Sequence, residues 1–61
     1  MTALEMNQKL QSLEEKIGVA EHRRDIARAR GMNNLGDAIS TEINTNLNEW
    51  QRIFSILSKN N

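Results

Sequence analysis

The sequence contains no cysteine and no proline, and its only aromatic residues are Trp50 and Phe54. The absence of cysteine excludes disulfides, and a single histidine without cysteine excludes the usual structural zinc sites. A length of 61 residues makes one small domain, 1–61, which is too short to divide into two cores. Stability must therefore come from helix packing, and we expect a partner or a second copy to contribute.

The chain also lacks an excess of charge of either sign, because 8 Lys and Arg residues balance 8 Asp and Glu residues. A neutral chain has no global field that would draw it to nucleic acid or to an anionic membrane. No apolar run is long enough for a signal peptide or a membrane span, so we expect a cytoplasmic protein. No pattern indicates a cofactor, and the lone His22 does not make a metal-ligand cluster.

A first helix is predicted over residues 3–30. Thr2 and Glu5 form a capping-box pattern, in which each side chain satisfies an unpaired backbone N–H at the helix start. Residues at alternating spacings of three and four then form a coiled-coil-like seam: Ala3, Met6, Leu10, Leu13, Ile17, Ala20, Arg24 and Ala27. Gly18 costs on the order of 1 kcal/mol inside a helix. Either close approach of a bulky side chain such as Trp50 explains it, or it simply weakens the helix.

A turn at about 31–34 is predicted to end this helix. Gly31 follows an arginine-rich last turn and is free to adopt a left-handed conformation, and both features are typical of a helix C-terminus. The expected N-cap of the next helix is Asn33, Asn34 or Asp37.

A second helix is predicted over about 35–58. Its apolar residues form one stripe, with Ile53 at the edge: Leu35, Ile39, Ile43, Leu47, Trp50, Phe54 and Leu57. Two amphipathic helices joined by a tight turn predict an all-α, antiparallel two-helix hairpin, which a second copy could complete as a four-helix homodimer. In this register Arg24 lies opposite Thr41 and Glu42, which would give the cation a carboxylate partner.

Uncharged hydrogen-bonding side chains line one side of the second helix. Spacings of four, seven and four residues return them to nearly the same helical angle: Ser40, Asn44, Gln51 and Ser55. Glu42 and Glu49 project to the opposite side. The asparagines and threonine between positions 44 and 48 cost about 2 kcal/mol of helix propensity, which stability alone would not select. The alternative interpretation is a solvated flank of low-propensity residues.

The same segment resembles a known signature. Ser40-Thr41-Glu42-Ile43-Asn44, followed by Leu47-Asn48-Glu49-Trp50-Gln51, is similar to the second-helix signature of the sporulation stage-zero-E-like aspartyl-phosphate phosphatases. That signature reads approximately Ser-Gln-Glu-Leu-Asp, then Leu or Ile, Asn, any residue, Tyr and often Gln. Thr41 stands where the family has Gln, and Asn44 stands where it has Asp.

Members of that family are short, cytoplasmic two-helix hairpins, sometimes dimeric, that remove phosphate from the phospho-aspartate of a response regulator. The resemblance implies a phosphorylated receiver domain as partner and four catalytic positions: Asn44, Ser40, Glu42 and Gln51. An acyl phosphate is already activated, so an amide that orients a water is chemically sufficient although it is no general base. The alternative is that Asn44 in place of Asp leaves a binder that occupies the regulator without hydrolysis.

Basic residues cluster towards the end of the first helix: His22, Arg23, Arg24, Arg28 and Arg30. We predict that Arg23, Arg24 and Arg28 contact the carboxylate-rich face of a receiver, together with Asn48 of the second helix. The alternative is that the arginines complement the helix dipole and are otherwise solvated.

Two functions outside phosphatase chemistry fit the same pattern. One is a non-enzymatic helical-hairpin adaptor or co-chaperone that binds another helical protein, such as a type III secretion needle co-chaperone. The other is a self-associating four-helix dimer.

Overall fold

The computed structural model describes residues 2–59 and confirms the predicted all-α hairpin. Helix α1 spans Ala3–Ala29 and helix α2 spans Asn33–Lys59. The two helices pack against each other in a rod of 45 × 14 × 14 Å. In the part of the chain described, neither helix is long and apolar enough to cross a bilayer.

The start of α1 is the capping box that the sequence predicts. The Thr2 hydroxyl accepts a hydrogen bond from the Glu5 backbone N–H at 3.1 Å. The Thr2 backbone N–H in turn donates to the Glu5 carboxylate at 3.4 Å. Two donors that the first turn leaves unpaired are therefore satisfied.

The turn is a Schellman motif built on Gly31, whose φ of 77° lies in the left-handed region. The Met32 N–H donates to the Ala27 carbonyl at 2.8 Å, and the Gly31 N–H donates to the Arg28 carbonyl at 3.0 Å. The Gly36 N–H donates to the Met32 carbonyl at 3.0 Å, so Met32 takes the N-cap position of α2.

The predicted N-caps of α2 were therefore wrong. Asn33 is already helical, and both Asn34 and Asp37 lie inside the helix. The physical reason is the shortness of the turn: Met32 closes the Schellman motif and also opens α2, which leaves no separate residue for a side-chain cap.

The buried face of α1 is the seam that its spacing predicts. The buried positions are Met6, Leu10, Leu13, Ile17, Ala20 and Ala27. Ala3 belongs to the same row but is exposed at the open end of the hairpin.

Arg24, which interrupts this seam, is only half-buried, and its predicted pairing with Glu42 was wrong. Its Nε instead lies 3.4 Å from the carboxylate of the adjacent Asp25. Glu42 lies beside the α2 seam, where it lines a groove with Lys16 and Arg23 of α1.

The buried face of α2 is rotated from the predicted stripe. Ile53, which was predicted at its edge, is buried, whereas Leu35, Leu47 and Phe54 are 44%, 38% and 49% exposed. The face that packs on α1 follows an alternating spacing of three and four: Gly36, Ile39, Ile43, Asn46, Trp50, Ile53 and Leu57. Because Gly36 and Asn46 are not apolar, a count of apolar residues misses this row.

The core has two clusters along the rod. The one nearer the turn contains Ile17, Ala20, Ala27, Ile39 and Ile43. The one nearer the termini contains Met6, Leu10, Leu13 and Ile53, with Trp50 and Leu57 packed against it. Trp50 is thus away from Gly18, which has nothing within 4 Å of an added Cβ. The predicted approach of Trp50 to Gly18 was wrong, because Gly18 lies outside the seam.

Candidate functional site: the amide side of α2

The uncharged hydrogen-bonding side chains of α2 form a column along an accessible side of the helix: Ser40, Asn44, Gln51 and Ser55. Asn44, Gln51 and Ser55 are exposed, and Ser40 is half-buried where α2 approaches α1. Leu47 and Phe54 follow Ser40 by seven and fourteen residues, which is about two and four helical turns, so they project to the same side. We call this surface the amide side and define it by Ser40, Asn44, Leu47, Gln51 and Phe54.

Arg28 reaches across the hairpin to the turn end of the amide side. Its Nη2 donates a hydrogen bond to the Ser40 hydroxyl at 3.2 Å and lies 3.9 Å from an Asp37 carboxylate oxygen. Gly36 makes this path possible, since a Cβ there would lie 3.0 Å from Arg28 Cγ. A guanidinium is therefore held beside the first residue of the column.

Apolar surface continues the amide side towards the termini. Phe54 is 49% exposed, and its ring stacks on Trp50 with centroids 5.0 Å apart and an interplanar angle of 8°. The Trp50 indole Nε1 is buried without a hydrogen-bond partner among the described residues. Phe54 and Leu47 thus offer hydrophobic contact next to the amides, and the stacked Trp50 ring covers one face of the Phe54 ring.

Glu42 is separated from the other predicted catalytic residues. It is two positions from both Ser40 and Asn44, which turns it to the opposite side of the helix. There it lines an open groove of about 580 Å³ with Lys16, Val19 and Arg23. The structure therefore brings Ser40, Asn44 and Gln51 to one side and leaves Glu42 on the other.

The predicted docking residues are divided in the same way. Arg28 lies beside the amide side, Arg23 lines the opposite groove, and Arg24 contacts Asp25. Asn48 is exposed on the outer face of α2, away from α1. Of the predicted cations, Arg28 is the one placed next to Ser40.

The helix also fixes the distances along the column. Ser40 and Asn44 are one turn apart, or about 6 Å along the axis, whereas Asn44 and Gln51 are about 10 Å apart. Along the helix axis, Asn44 is therefore closer to Ser40 than to Gln51.

Sequence reasoning missed two parts of this surface. It placed Leu47 and Phe54 on the apolar stripe of the second helix, and it did not foresee that Arg28 crosses to Ser40. The alternating row through Gly36 and Asn46 was the available signal for both, because it rotates Leu47 and Phe54 outwards and puts Gly36 under Arg28.

Comparisons with protein-family models, with curated proteins and with solved structures find no match to this chain.

Proposed function

We propose that this hairpin docks its amide side on a phosphorylated response-regulator receiver domain and promotes hydrolysis of the aspartyl phosphate. The observation that supports the proposal is the exposure of Asn44 on a rigid helix, between the Arg28 and Ser40 pair and the apolar Leu47. The likeness of residues 40–51 to the phosphatase signature supplies the substrate class. A receiver is cytoplasmic, so the proposal places this chain in the cytoplasm.

The reaction requires no covalent bond between the hairpin and the phosphoryl group. Water attacks phosphorus, the bond between phosphorus and the aspartyl oxygen breaks, and inorganic phosphate and a free carboxylate result. Because the leaving group is a carboxylate, positioning of the water and stabilisation of charge dominate the catalytic contribution. The Asn44 amide is suited to orient the water, and the Ser40 hydroxyl and the Arg28 guanidinium to contact phosphoryl oxygens.

The remaining predicted residues take other roles in this proposal. Gln51, about 10 Å from Asn44, contacts the receiver surface and does not touch the reacting atoms. Glu42 faces Lys16 and Arg23 and keeps its negative charge away from the phosphoryl group. A carboxylate beside the phosphoryl oxygens would repel them, so Arg28 has to turn from Asp37, which lies 3.9 Å from its Nη2, to contact them.

The test is the lifetime of the acyl phosphate. Receiver domains encoded in the same genome are phosphorylated with acetyl phosphate, separated from it and incubated with the hairpin. We expect at least one to lose phosphate about 10-fold faster with the native chain, and Asn44→Ala to remove that acceleration. Asn34→Ala is the matched control, because Asn34 is exposed at the start of α2, away from the amide side. Unchanged activity in Asn44→Ala would sink the assignment.

A binder without hydrolysis is the second candidate, and the exposure of Leu47 and Phe54 favours it. A helix from an adaptor target or from a second copy would bury the same two side chains. Saturable binding of a receiver with an unchanged phosphate lifetime would identify such a binder. Sedimentation equilibrium over a range of concentrations identifies the homodimer, since only self-association depends on the concentration of the hairpin alone.

A further inference from the structure

Four cations recur at intervals of seven residues along one side of α1 and at its C-cap: Lys9, Lys16, Arg23 and Arg30. This interval keeps them next to the seam, on the side away from the amide side. Towards the termini the row meets acidic residues of α2. Lys9 lies 3.6 Å from Glu49, and Glu42 lines a groove with Lys16.

Near the turn the opposing residues are apolar. Arg23 and Arg30 flank a groove of about 220 Å³, which we call the turn groove. Its remaining lining is Ile26, Ala27, Met32, Leu35 and Ile39. Within residues 2–59, neither Arg23 nor Arg30 has a carboxylate within 4 Å.

The apolar lining of the turn groove is open to solvent. Ile26, Met32 and Leu35 are 38%, 49% and 44% exposed. A concave apolar floor between two cations without carboxylate partners is complementary to an apolar stripe flanked by acidic side chains.

We propose that the turn groove binds an amphipathic helix of a partner protein whose apolar stripe is flanked by carboxylates. Arg23 and Arg30 are separated by about 10 Å along α1, which matches carboxylates two turns apart on the bound helix. Its apolar residues at i, i+3 and i+4 would cover Ile26, Met32 and Leu35.

Other ligands fit these observations less well. A nucleic acid is disfavoured on a chain without net charge and in a groove with no aromatic side chain in its lining. Membrane binding requires an apolar face that enters the bilayer surface, whereas Ala27 and Ile39 in this groove are buried between the two helices. The turn groove lies opposite the amide side, so both surfaces can be occupied together.

The test uses a fluorescein-labelled peptide of about 15 residues, with leucines at i, i+3, i+4 and i+7 and glutamates flanking them. We expect its anisotropy to rise on titration with the full chain and its affinity to fall with added salt. Arg23→Glu with Arg30→Glu should weaken binding at least about 10-fold. Arg52→Glu with Lys59→Glu is the matched control, since both residues are exposed on the outer face of α2, and should change the affinity less than about 2-fold.

Leu35→Asn tests the apolar half of the site without altering charge and should also weaken binding. Far-UV circular dichroism of each variant separates loss of binding from loss of the hairpin. The proposal is overturned if a lysine-flanked peptide binds equally well, or if the Arg23 and Arg30 variant is folded and binds normally. Binding to vesicles of anionic phospholipid without binding to the acidic peptide would also overturn it.

Discussion

Ile53 and Phe54 are neighbours in the sequence but lie on different sides of the packing boundary, with Ile53 7% and Phe54 49% exposed. Ile53 packs with Met6, Leu10 and Leu13, whereas Phe54 covers the Trp50 ring from outside. This boundary separates the side chains that stabilise the hairpin from the side chains that are free to contact a partner.

The boundary predicts different costs for two truncations. Ile53→Ala should lower the free energy of unfolding by about 2–4 kcal/mol, because it opens a cavity in the cluster nearer the termini. Phe54→Ala should cost less than about 1 kcal/mol, because half of the ring already faces solvent. Urea unfolding followed by circular dichroism measures both. Equal costs would show that Phe54 is part of the core.

Two glycines of similar sequence context should respond differently to alanine. Gly18→Ala should stabilise the hairpin by about 1 kcal/mol, because an added Cβ meets nothing and improves helix propensity. Gly36→Ala should lose that gain, because the Cβ would lie 3.0 Å from Arg28 Cγ and must displace the side chain that reaches Ser40. Thermal unfolding of the two variants provides the comparison, and an equal gain in both would contradict the Arg28 path.

The sequence predicted the two helices and the α1 seam because a three-and-four spacing of residues that are apolar at every position except Arg24 marks that seam directly. The α2 seam was misplaced because two of its positions are Gly36 and Asn46, while Leu47 and Phe54 supply apolar residues beside it. The positions of Ser40, Asn44 and Gln51 on one side follow from helix geometry alone. The approach of Arg28 to Ser40 depends on the register between the helices. That register could not be predicted from the apolar residues of α2, because Gly36 and Asn46 occupy two of its seam positions.

Asn46 tests the corrected seam. It is half-buried between Ile43 and Trp50 in the α2 row, where an apolar residue would bury more area. Asn46→Leu should raise the free energy of unfolding by about 1 kcal/mol, whereas Asn48→Leu on the exposed outer face should change it by less than about 0.5 kcal/mol. Chemical unfolding measures the free energy of unfolding of both variants. Destabilisation by Asn46→Leu would mean that Asn46 has a polar partner.

The capping box predicts a contrast between two threonines. Thr2→Ala should cost about 1 kcal/mol, since it removes the acceptor for the Glu5 N–H. The Thr45 hydroxyl donates to the Thr41 carbonyl inside α2 at 3.0 Å, so Thr45→Ala should be neutral or slightly stabilising. Melting temperatures of the two variants measure the contrast, and an unchanged value for Thr2→Ala would show that the first turn contributes little to stability.

The central claim is that the amide side of α2 docks on a phosphorylated receiver. Its most direct test is an ¹⁵N-labelled hairpin titrated with each receiver domain of the same genome, with and without phosphorylation. The account predicts that one receiver, in its phosphorylated form, shifts the amide resonances of Asn44, Leu47 and Gln51 and leaves those of Arg23 and Arg30 unchanged. Shifts confined to the turn groove, or no shift with any phosphorylated receiver, would contradict it.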